Sequence, residues 1–529
     1  MSAARRRSRV VGAVAWLLLA AFGVGRAWGW EVELPDKRRS LRIALTQSLS
    51  VEYHADFDPL IGNPADTFTD FKNRTDVVVM HGTTSFNVRL DGNWVAGTDA
   101  GAPQRSNTAL EKISLSTVQR EFDLAAGDYY IRIGRGIALD LTKIDQLTRD
   151  MTLRGARASV RLGSLQILGF GGWVNPLDTD DTTLEGRDIP ADIIAGAEIK
   201  LRLDRLLAVS VHYVGAMLNV KGQDASNGHH VVGGAINLPE IARRLGIYGE
   251  FNALIRTEDG APFGTGSYAA VSANLGPVAL LAEFKAYHRF VMRNTHGGDK
   301  DVYIYNRPPT LSRANQEIIS SENIVGPRLQ IDVRIGPVTP YLSYGYFFRS
   351  EAAADQGFFE IGMPVHDFSG GVSLHTRPVN VVVTAGYRID QRDDQATGAT
   401  IRDYSKLFGE LTVELPLPRR QTVDLSAELR KLEKSGQKWW DMAVMLNYRP
   451  LHWLAVGGSL EWSTEAAEIS DQYNGRELFG GLFAKANFTN TSYVQAFFGS
   501  RRGGLKCLDG LCRTLPPVVG VKGDLVLRF

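Results

Sequence analysis

Apolar and polar residues alternate along this chain in short runs, and the last run is the clearest. In 518–529, Val519, Val521, Leu525, Leu527 and Phe529 share one face of an extended strand, with Gly523 among them, while Lys522, Asp524 and Arg528 share the other. Successive side chains on a strand point to opposite faces, so the pattern predicts a strand with one apolar and one charged face. Segment 41–53 alternates almost without fault, and 329–335, 422–430 and 440–448 repeat the pattern. A soluble sandwich shows the same alternation with its apolar face turned inward, so alternation alone leaves the solvent on each face open.

The connections separate the two cases. Gly163-Ser164, Asp204-Arg205, Gly276-Pro277, Gly336-Pro337, Arg377-Pro378, Arg449-Pro450 and Thr489-Asn490-Thr491 are tight-turn sequences. Between them stand long polar stretches at 54–75, 137–151, 175–191, 291–326, 350–366, 390–403, 463–476 and 503–516. Short connections at one end and long ones at the other are the asymmetry of an outer-membrane barrel. A solenoid or propeller would show a repeat period, and there is none. The predicted fold is all-β: a single large antiparallel transmembrane β-barrel with short periplasmic turns and long extracellular loops. It has about 24 strands, or 22 if the region around Trp94 is not a strand, counting elements of a length that crosses a membrane at a tilt. Aromatic residues such as Tyr53, Trp173, Tyr213, Trp440 and Trp462 gather near the predicted strand ends, where amphipathic rings meet the membrane–water boundary. Ordinary strand propensity for aromatics accounts for part of this.

At the N-terminus, Arg5, Arg6, Arg7 and Arg9 precede an apolar run from Val10 to about Val24, and Ala27-Trp28-Gly29 offers small residues for cleavage. Residues 1–29 read as a secretory signal peptide. The run is short for a spanning helix, which needs about 20 residues. The paired arginines also suit a twin-arginine leader, which would export a folded soluble protein. Residues 30–40 would then be a short periplasmic segment and 41–529 the barrel. Loss of residues 1–29 removes five of the 59 basic residues and none of the 58 acidic ones, a mature net charge of −4. That balance argues against a nucleic-acid partner.

Candidate chemistry is sparse. The two cysteines, Cys507 and Cys512, flank Asp509-Gly510 in one loop. In an oxidising compartment they predict a structural disulfide, worth roughly 2 kcal/mol for so short a loop; a redox or metal pair would need ligands the neighbourhood lacks. Asp178, Asp180, Asp181 and Glu185 offer oxygen ligands to Ca²⁺, but the spacing fits no EF-hand loop and a solvated acidic loop is the plainer reading. Ser210 with His212, and Ser373 with His375, lie two apart on strands, about 7 Å, too far for a nucleophile–base hydrogen bond. No cofactor and no enzymatic activity are implied.

Two loops are different in kind. Within 134–156, Ile137, Leu139 and Leu141 alternate among Arg135, Asp140, Lys143, Asp145, Arg149, Asp150 and Arg154. Such a loop is predicted to fold into the barrel mouth, the alternative being a simple hairpin tip. Loop 291–326 carries Val302, Tyr303, Ile304, Tyr305, Leu311, Ile318 and Ile319 beside Arg307 and Arg313. Its apolar residues call for burial against the inner wall, or else for packing as an outer cap. Arg135, Asp140, Arg149, Arg154, Arg307 and Arg313 are therefore the candidate constriction. A barrel this wide cannot be filled by wall side chains alone, so the lumen is either open or filled by the chain's own loops.

The motifs GRGIALDL at 134–141, LRGA at 153–156, YNRPPTLSR at 305–313 and GGLKCLDGLCR ahead of the LRF ending resemble a family of large, functionally unassigned outer-membrane barrels of Gram-negative bacteria. The terminal strand closing on Phe529 resembles the one that the barrel-assembly machinery reads. The resemblance implies residence in the outer membrane among lipid and lipopolysaccharide, and brings no catalytic residues. The interior charges are of both signs, among them Arg89, Arg157, Glu283, Lys285, Arg328, Glu428, Arg430, Lys522 and Asp524, which predicts cross-strand pairing around a wet lumen rather than strong ion selectivity. Two functions follow: a pore or loop-gated channel for hydrophilic solutes, or a scaffold holding a partner protein or surface structure.

Overall fold

A computed structural model gives the architecture. It describes residues 30–33, 40–54, 68–97, 104–144, 149–177, 192–203, 206–218, 227–257, 263–295, 302–309, 323–349, 363–376, 378–393, 400–434, 436–465, 477–502, 504–508, 511–515 and 518–529.

Strands that alternate over their whole length pair with their sequence neighbours into one antiparallel sheet that returns to its start. In chain order the barrel strands are β1 (Ser40–His54), β2 (Phe68–His81), β3 (Thr84–Gly97), β4 (Gln104–Val118), β5 (Phe122–Tyr129), β6 (Arg149–Leu162), β7 (Leu165–Leu177), β8 (Ile193–Leu203), β9 (Leu207–Leu218), β10 (Asn227–Ile241), β11 (Leu245–Arg256) and β12 (Gly264–Leu275). They continue with β13 (Val278–His288), β14 (Ile324–Val333), β15 (Val338–Arg349), β16 (Met363–His375), β17 (Asn380–Asp393), β18 (Thr400–Leu417), β19 (Gln421–Lys434), β20 (Gln437–Leu451), β21 (Leu454–Ser463), β22 (Leu478–Asn487), β23 (Tyr493–Arg501) and β24 (Val518–Arg528). The sheet is a closed barrel of 24 antiparallel strands. Closure joins β24 to β1, from Thr46↔Arg528 to His54↔Gly520. Leu45 and Phe529 exchange backbone hydrogen bonds of 2.8 and 3.2 Å at the seam's end. Ahead of β1, strand Trp30–Glu33 folds back onto Ser40–Ile43.

The strand around Trp94 is present, so the count is 24 and not 22. Some boundaries move. Pro450 lies inside β20 and the turn is His452-Trp453, because Pro is tolerated where its missing donor is not needed. The chain enters β2 at Phe68 and leaves the wall after Tyr129, earlier in each case than the polar stretches suggested. β19 ends at Lys434 and β20 begins at Gln437, the shortest connection at the end where the others are long.

Facing follows the alternation. On β9, Val209, Val211, Tyr213 and Met217 are exposed while Ser210, His212, Val214 and Ala216 are buried. On β11, Phe251 and Ile255 are exposed, and Glu250, Asn252 and Leu254 buried. Exposed apolar residues thus form the outer surface, and the polar and charged parity faces the lumen. Opposite charges meet there across strands: Glu283 with Arg328 (3.0 Å), Asp123 with Arg157 (3.0 Å) and Glu52 with Lys522 (3.2 Å).

Candidate functional site

The lumen is not empty, because two connections turn into it instead of crossing above the rim. The first runs from Tyr130 to Ile144. Its Ile131–Ile133 pairs with Leu139–Leu141 as a small hairpin. Ile133, Ile137, Ala138, Leu139 and Leu141 have no accessible surface, so the alternation within this loop is satisfied by burial. The second is described at 289–295 and 302–309, with Arg293–Thr295 paired to Val302–Ile304 and with Phe290, Met292 and Tyr305 buried.

The two segments bind each other through main chain. Asp140 N–H donates to the Tyr305 carbonyl (2.8 Å) and Arg307 N–H to the Gly136 carbonyl (2.7 Å). Asn306 Nδ2 donates to the Ile137 carbonyl (3.2 Å), while its Oδ1 accepts from Met292 N–H (2.9 Å). Asp140 is the ionic centre, held by Arg307 Nε (2.6 Å) and Arg132 Nη2 (2.8 Å). Satisfied in this way, a carboxylate can sit almost fully buried without the cost of an orphaned charge.

Side-chain anchors fix this plug to the wall, among them Arg256 Nη2, which donates to the Arg289 carbonyl (2.7 Å). Arg135 N–H donates to Glu250 (3.0 Å), and the Arg135 guanidinium lies 4.0 Å over the Tyr248 ring and bonds the Tyr268 hydroxyl (3.1 Å). Glu250 also accepts from Asn252 Nδ2 (3.0 Å). Asp192, buried just before β8, accepts two bonds of 2.9 Å from Asn294 Nδ2 and one from the Tyr305 hydroxyl. Tyr287 donates to the Pro309 carbonyl (3.4 Å). Around these anchors Ile194, Val214, Ala216, Val231, Leu254 and Ile324 line the inner wall with apolar surface. The apolar cluster draws on β5–β16, so the plug is packed against one side of the barrel.

Asp140 and Arg307 thus come together, while Arg135, in the same plug, turns to the wall. Arg154 does not join them: it stands on the opposite parity of β6 and pairs with Asp128 (3.1 Å). Arg149 begins β6 opposite Ile144. Arg313, the acidic group Asp178, Asp180, Asp181 and Glu185, and the leader 1–29 lie outside the described residues. Cys507 and Cys512 face each other in register across the hairpin Gly504–Leu508 and Leu511–Leu515. His212 does not use Ser210; its Nε2 meets Asn252 Oδ1 at 2.6 Å. Residues the sequence reading passed over are Asp192, Glu250, Tyr268 and Asn294. The signal that points to them is the inner parity of β8 and β9, which changes from Glu198, Lys200 and Arg202 to Ile194, and from Ser210 and His212 to Val214, Ala216 and Leu218. An inner face that becomes apolar toward the long-loop end requires something apolar inside the barrel.

Gly134 gives a test of the Arg135 anchor. It has φ +62°, and a Cβ there would lie 2.2 Å from Glu250 Oε1. Gly163, in a turn, has φ +60° with nothing within 4 Å. Both Gly→Ala changes cost about 1–2 kcal/mol for the left-handed backbone. Only Gly134→Ala also displaces the Glu250 carboxylate from Arg135, so only it loosens the plug. Single-channel recordings are expected to show larger or noisier conductance for Gly134→Ala and an unchanged trace for Gly163→Ala.

No family model matches the chain, and no curated protein does. Among solved structures it is similar to the siderophore receptor PirA from Pseudomonas aeruginosa, at 9% identity and a TM-score of 0.47 over 92% of this chain and 80% of that one. It is similar to OccK3 (OpdO) from Pseudomonas aeruginosa at 14% identity and 0.38, over 74% of this chain and 94% of that one. The translocation pore of the P pilus usher PapC matches at 10% and 0.38, over 92% and 98%.

Proposed function

We propose that the chain is an outer-membrane channel for hydrophilic solutes, gated by a plug made of two of its own loops. The observation that carries this reading is the asymmetry of the interior. The plug covers the wall of β5–β16, whereas the lumenal face from β19 around to β2 carries cross-strand and same-strand ion pairs, Arg430 with Glu428, Arg502 with Asp441, Arg449 with Asp424 and Lys522 with Glu52. A surface of paired charges of both signs favours water and hydrophilic solutes over apolar ones and selects weakly by charge. The apolar outer face suits hydrocarbon, where only a closed barrel satisfies the backbone of a β-protein. Membrane lipid, lipopolysaccharide and the assembly machinery at Phe529 are the partners this reading brings.

The reading is tested by purifying the protein from membranes. A native barrel is expected to migrate differently on a gel before and after boiling, and to give discrete conductance steps in a planar bilayer. A heat-modifiable barrel without steps would overturn the channel and favour a scaffold for another protein.

The cysteines belong to the same compartment. In the oxidising periplasm and beyond, Cys507 and Cys512 are expected to be joined, since their backbones already stand opposite one another. Mass spectrometry of a non-reduced digest should give the cross-linked peptide, and two free thiols would refute it.

A further inference from the structure

Between upper β4 and upper β6, backbone pairing gives way to side chains. β5 is 8 residues long and stands between β4 of 15 and β6 of 14. Among the described residues, the β4–β5 register runs only from Ser114↔Gly127 to Val118↔Asp123. The cause is local. Glu111 is an extra residue in β4, between Leu110 and Lys112 opposite Leu90 and Arg89, and such a bulge bends its strand. At the point of divergence Gly127 has φ +85°, and a Cβ there would meet the Ile113 carbonyl at 2.1 Å. Beyond this point β5 turns into the lumen as the plug.

The two edges overlap instead of pairing. Arg89, on the lumenal parity of β3, bonds Asp76 beside it (3.0 Å) and also Asp150 (3.2 Å), which lies on the outward parity of β6. Lys112 lies 4.2 Å over the ring of Tyr130, whose hydroxyl bonds Asp150 (2.7 Å). The bulged Glu111 carbonyl accepts from Arg154 Nη2 (3.0 Å) and, two strands beyond β5, from Asn175 Nδ2 (3.0 Å). Asp128 takes the Ile113 N–H at 2.8 Å. Thr152 is on the outward parity yet has no accessible surface, because upper β4 covers it. The inner face of β3–β4 is therefore laid over the outer face of β6, with a polar layer between. In the register of β6 and β7, Arg154 stands opposite Trp173, an indole 59% exposed on the outer face. Exposed indoles mark the level of lipid head groups.

We propose that this overlap is a lateral port, parting between β4 and β6 to join the lumen to the outer leaflet, and that it admits an amphiphile. Any molecule passing there has a charged, hydrogen-bonding layer on one side and hydrocarbon on the other. The species that suits both is one with a polar head, seated among Arg89, Lys112, Asp150 and Arg154, and an apolar tail left in the bilayer. Separating the edges there breaks side-chain contacts and not a strand ladder, which makes this a weak line in the wall. The port rests on the barrel lying in a membrane and is independent of whether its lumen conducts.

The test is labelling of buried seam positions from the bilayer. In a background with Cys507 and Cys512 replaced by Ser, Thr152→Cys is reconstituted into vesicles carrying a maleimide-headed phospholipid. Asn175→Cys gives the same test from β7 should Thr152→Cys not fold, and the lipid-facing Trp173→Cys at the same level is the reference. Both seam cysteines are expected to be labelled, more slowly than Trp173→Cys. A short bifunctional thiol cross-link between Lys112→Cys and Tyr130→Cys is expected to abolish that labelling while leaving the labelling of the reference as it was. Complete labelling of the reference with none in the seam would overturn the port. So would seam labelling that persists under the cross-link. Loss of conductance steps without loss of seam labelling would count against the channel and not against the port.

Discussion

Replacing Arg293–Pro309 by a short Gly/Ser linker is expected to raise single-channel conductance severalfold while the barrel stays folded. The segment contributes Tyr305 to the interior cluster, with Tyr303 packed against it, and Asn294 and Tyr305 are its tie to Asp192. Its removal leaves Tyr130–Ile144 without the main-chain bonds from Arg307 and to Tyr305, so the two halves of the plug should loosen together. A wall of 24 strands encloses far more width than side chains can fill, which is why the effect should be large. Heat-modifiable migration on a gel reports the fold separately. A folded variant with unchanged steps would mean that the plug does not lie on the conducting path.

A gentler variant separates anchor from bulk. Asp192→Ala keeps every apolar contact but leaves Asn294 Nδ2 and the Tyr305 hydroxyl without their buried acceptor. Unsatisfied buried polar groups cost about 1–3 kcal/mol each, enough to shift a docked segment toward its released form. Conductance between that of the wild type and of the deletion, with frequent transitions, is the expected trace.

How far this was legible follows from which interactions are local. Strand facing was legible because it depends only on period two. Glu52 and Lys522, assigned to one face from alternation, do meet at 3.2 Å. The strand near Trp94 was the hardest to see because Asp91-Gly92-Asn93, in its middle, are turn-type residues. The inward loops announced themselves through apolar residues with no strand to belong to, Ile137, Leu139, Leu141 and Tyr305. What they dock against was not announced. Asp192 and Glu250 look like any other acid in a polar stretch or on a lumenal face, and only the closed barrel brings Asp192 to Asn294 and Glu250 to Arg135. Arg154 shows the converse. Its nearness in sequence to Arg135 and Asp140 suggested one cluster, but β6 turns it to the other side of the wall, onto Asp128.

The terminal strand allows the facing itself to be measured as energy. Asp524 lies in register with Gln495 and Ser50, and Ser50 Oγ donates to it at 2.7 Å, which places it in the lumen. Leu525, one residue on, lies in register with Leu49 and Val494, on the outward parity of β24, where its neighbours leave it 5% exposed. An arginine at Leu525 must carry its charge into hydrocarbon or distort the strand to reach the interface. Leu525→Arg is therefore expected to destabilise the barrel by about 2–4 kcal/mol if it lies near the midplane, and by less toward the periplasmic end. Asp524→Asn keeps an acceptor for Ser50 in a polar lumen and loses only a hydrogen bond to a charge, about 1 kcal/mol or less where solvent screens it. Urea unfolding in lipid vesicles, followed by tryptophan fluorescence and by loss of the unboiled gel band, compares the two. Equal losses would mean that the strand does not present Leu525 to lipid and Asp524 to the lumen, and the same error would then run through every strand whose facing was read from its alternation.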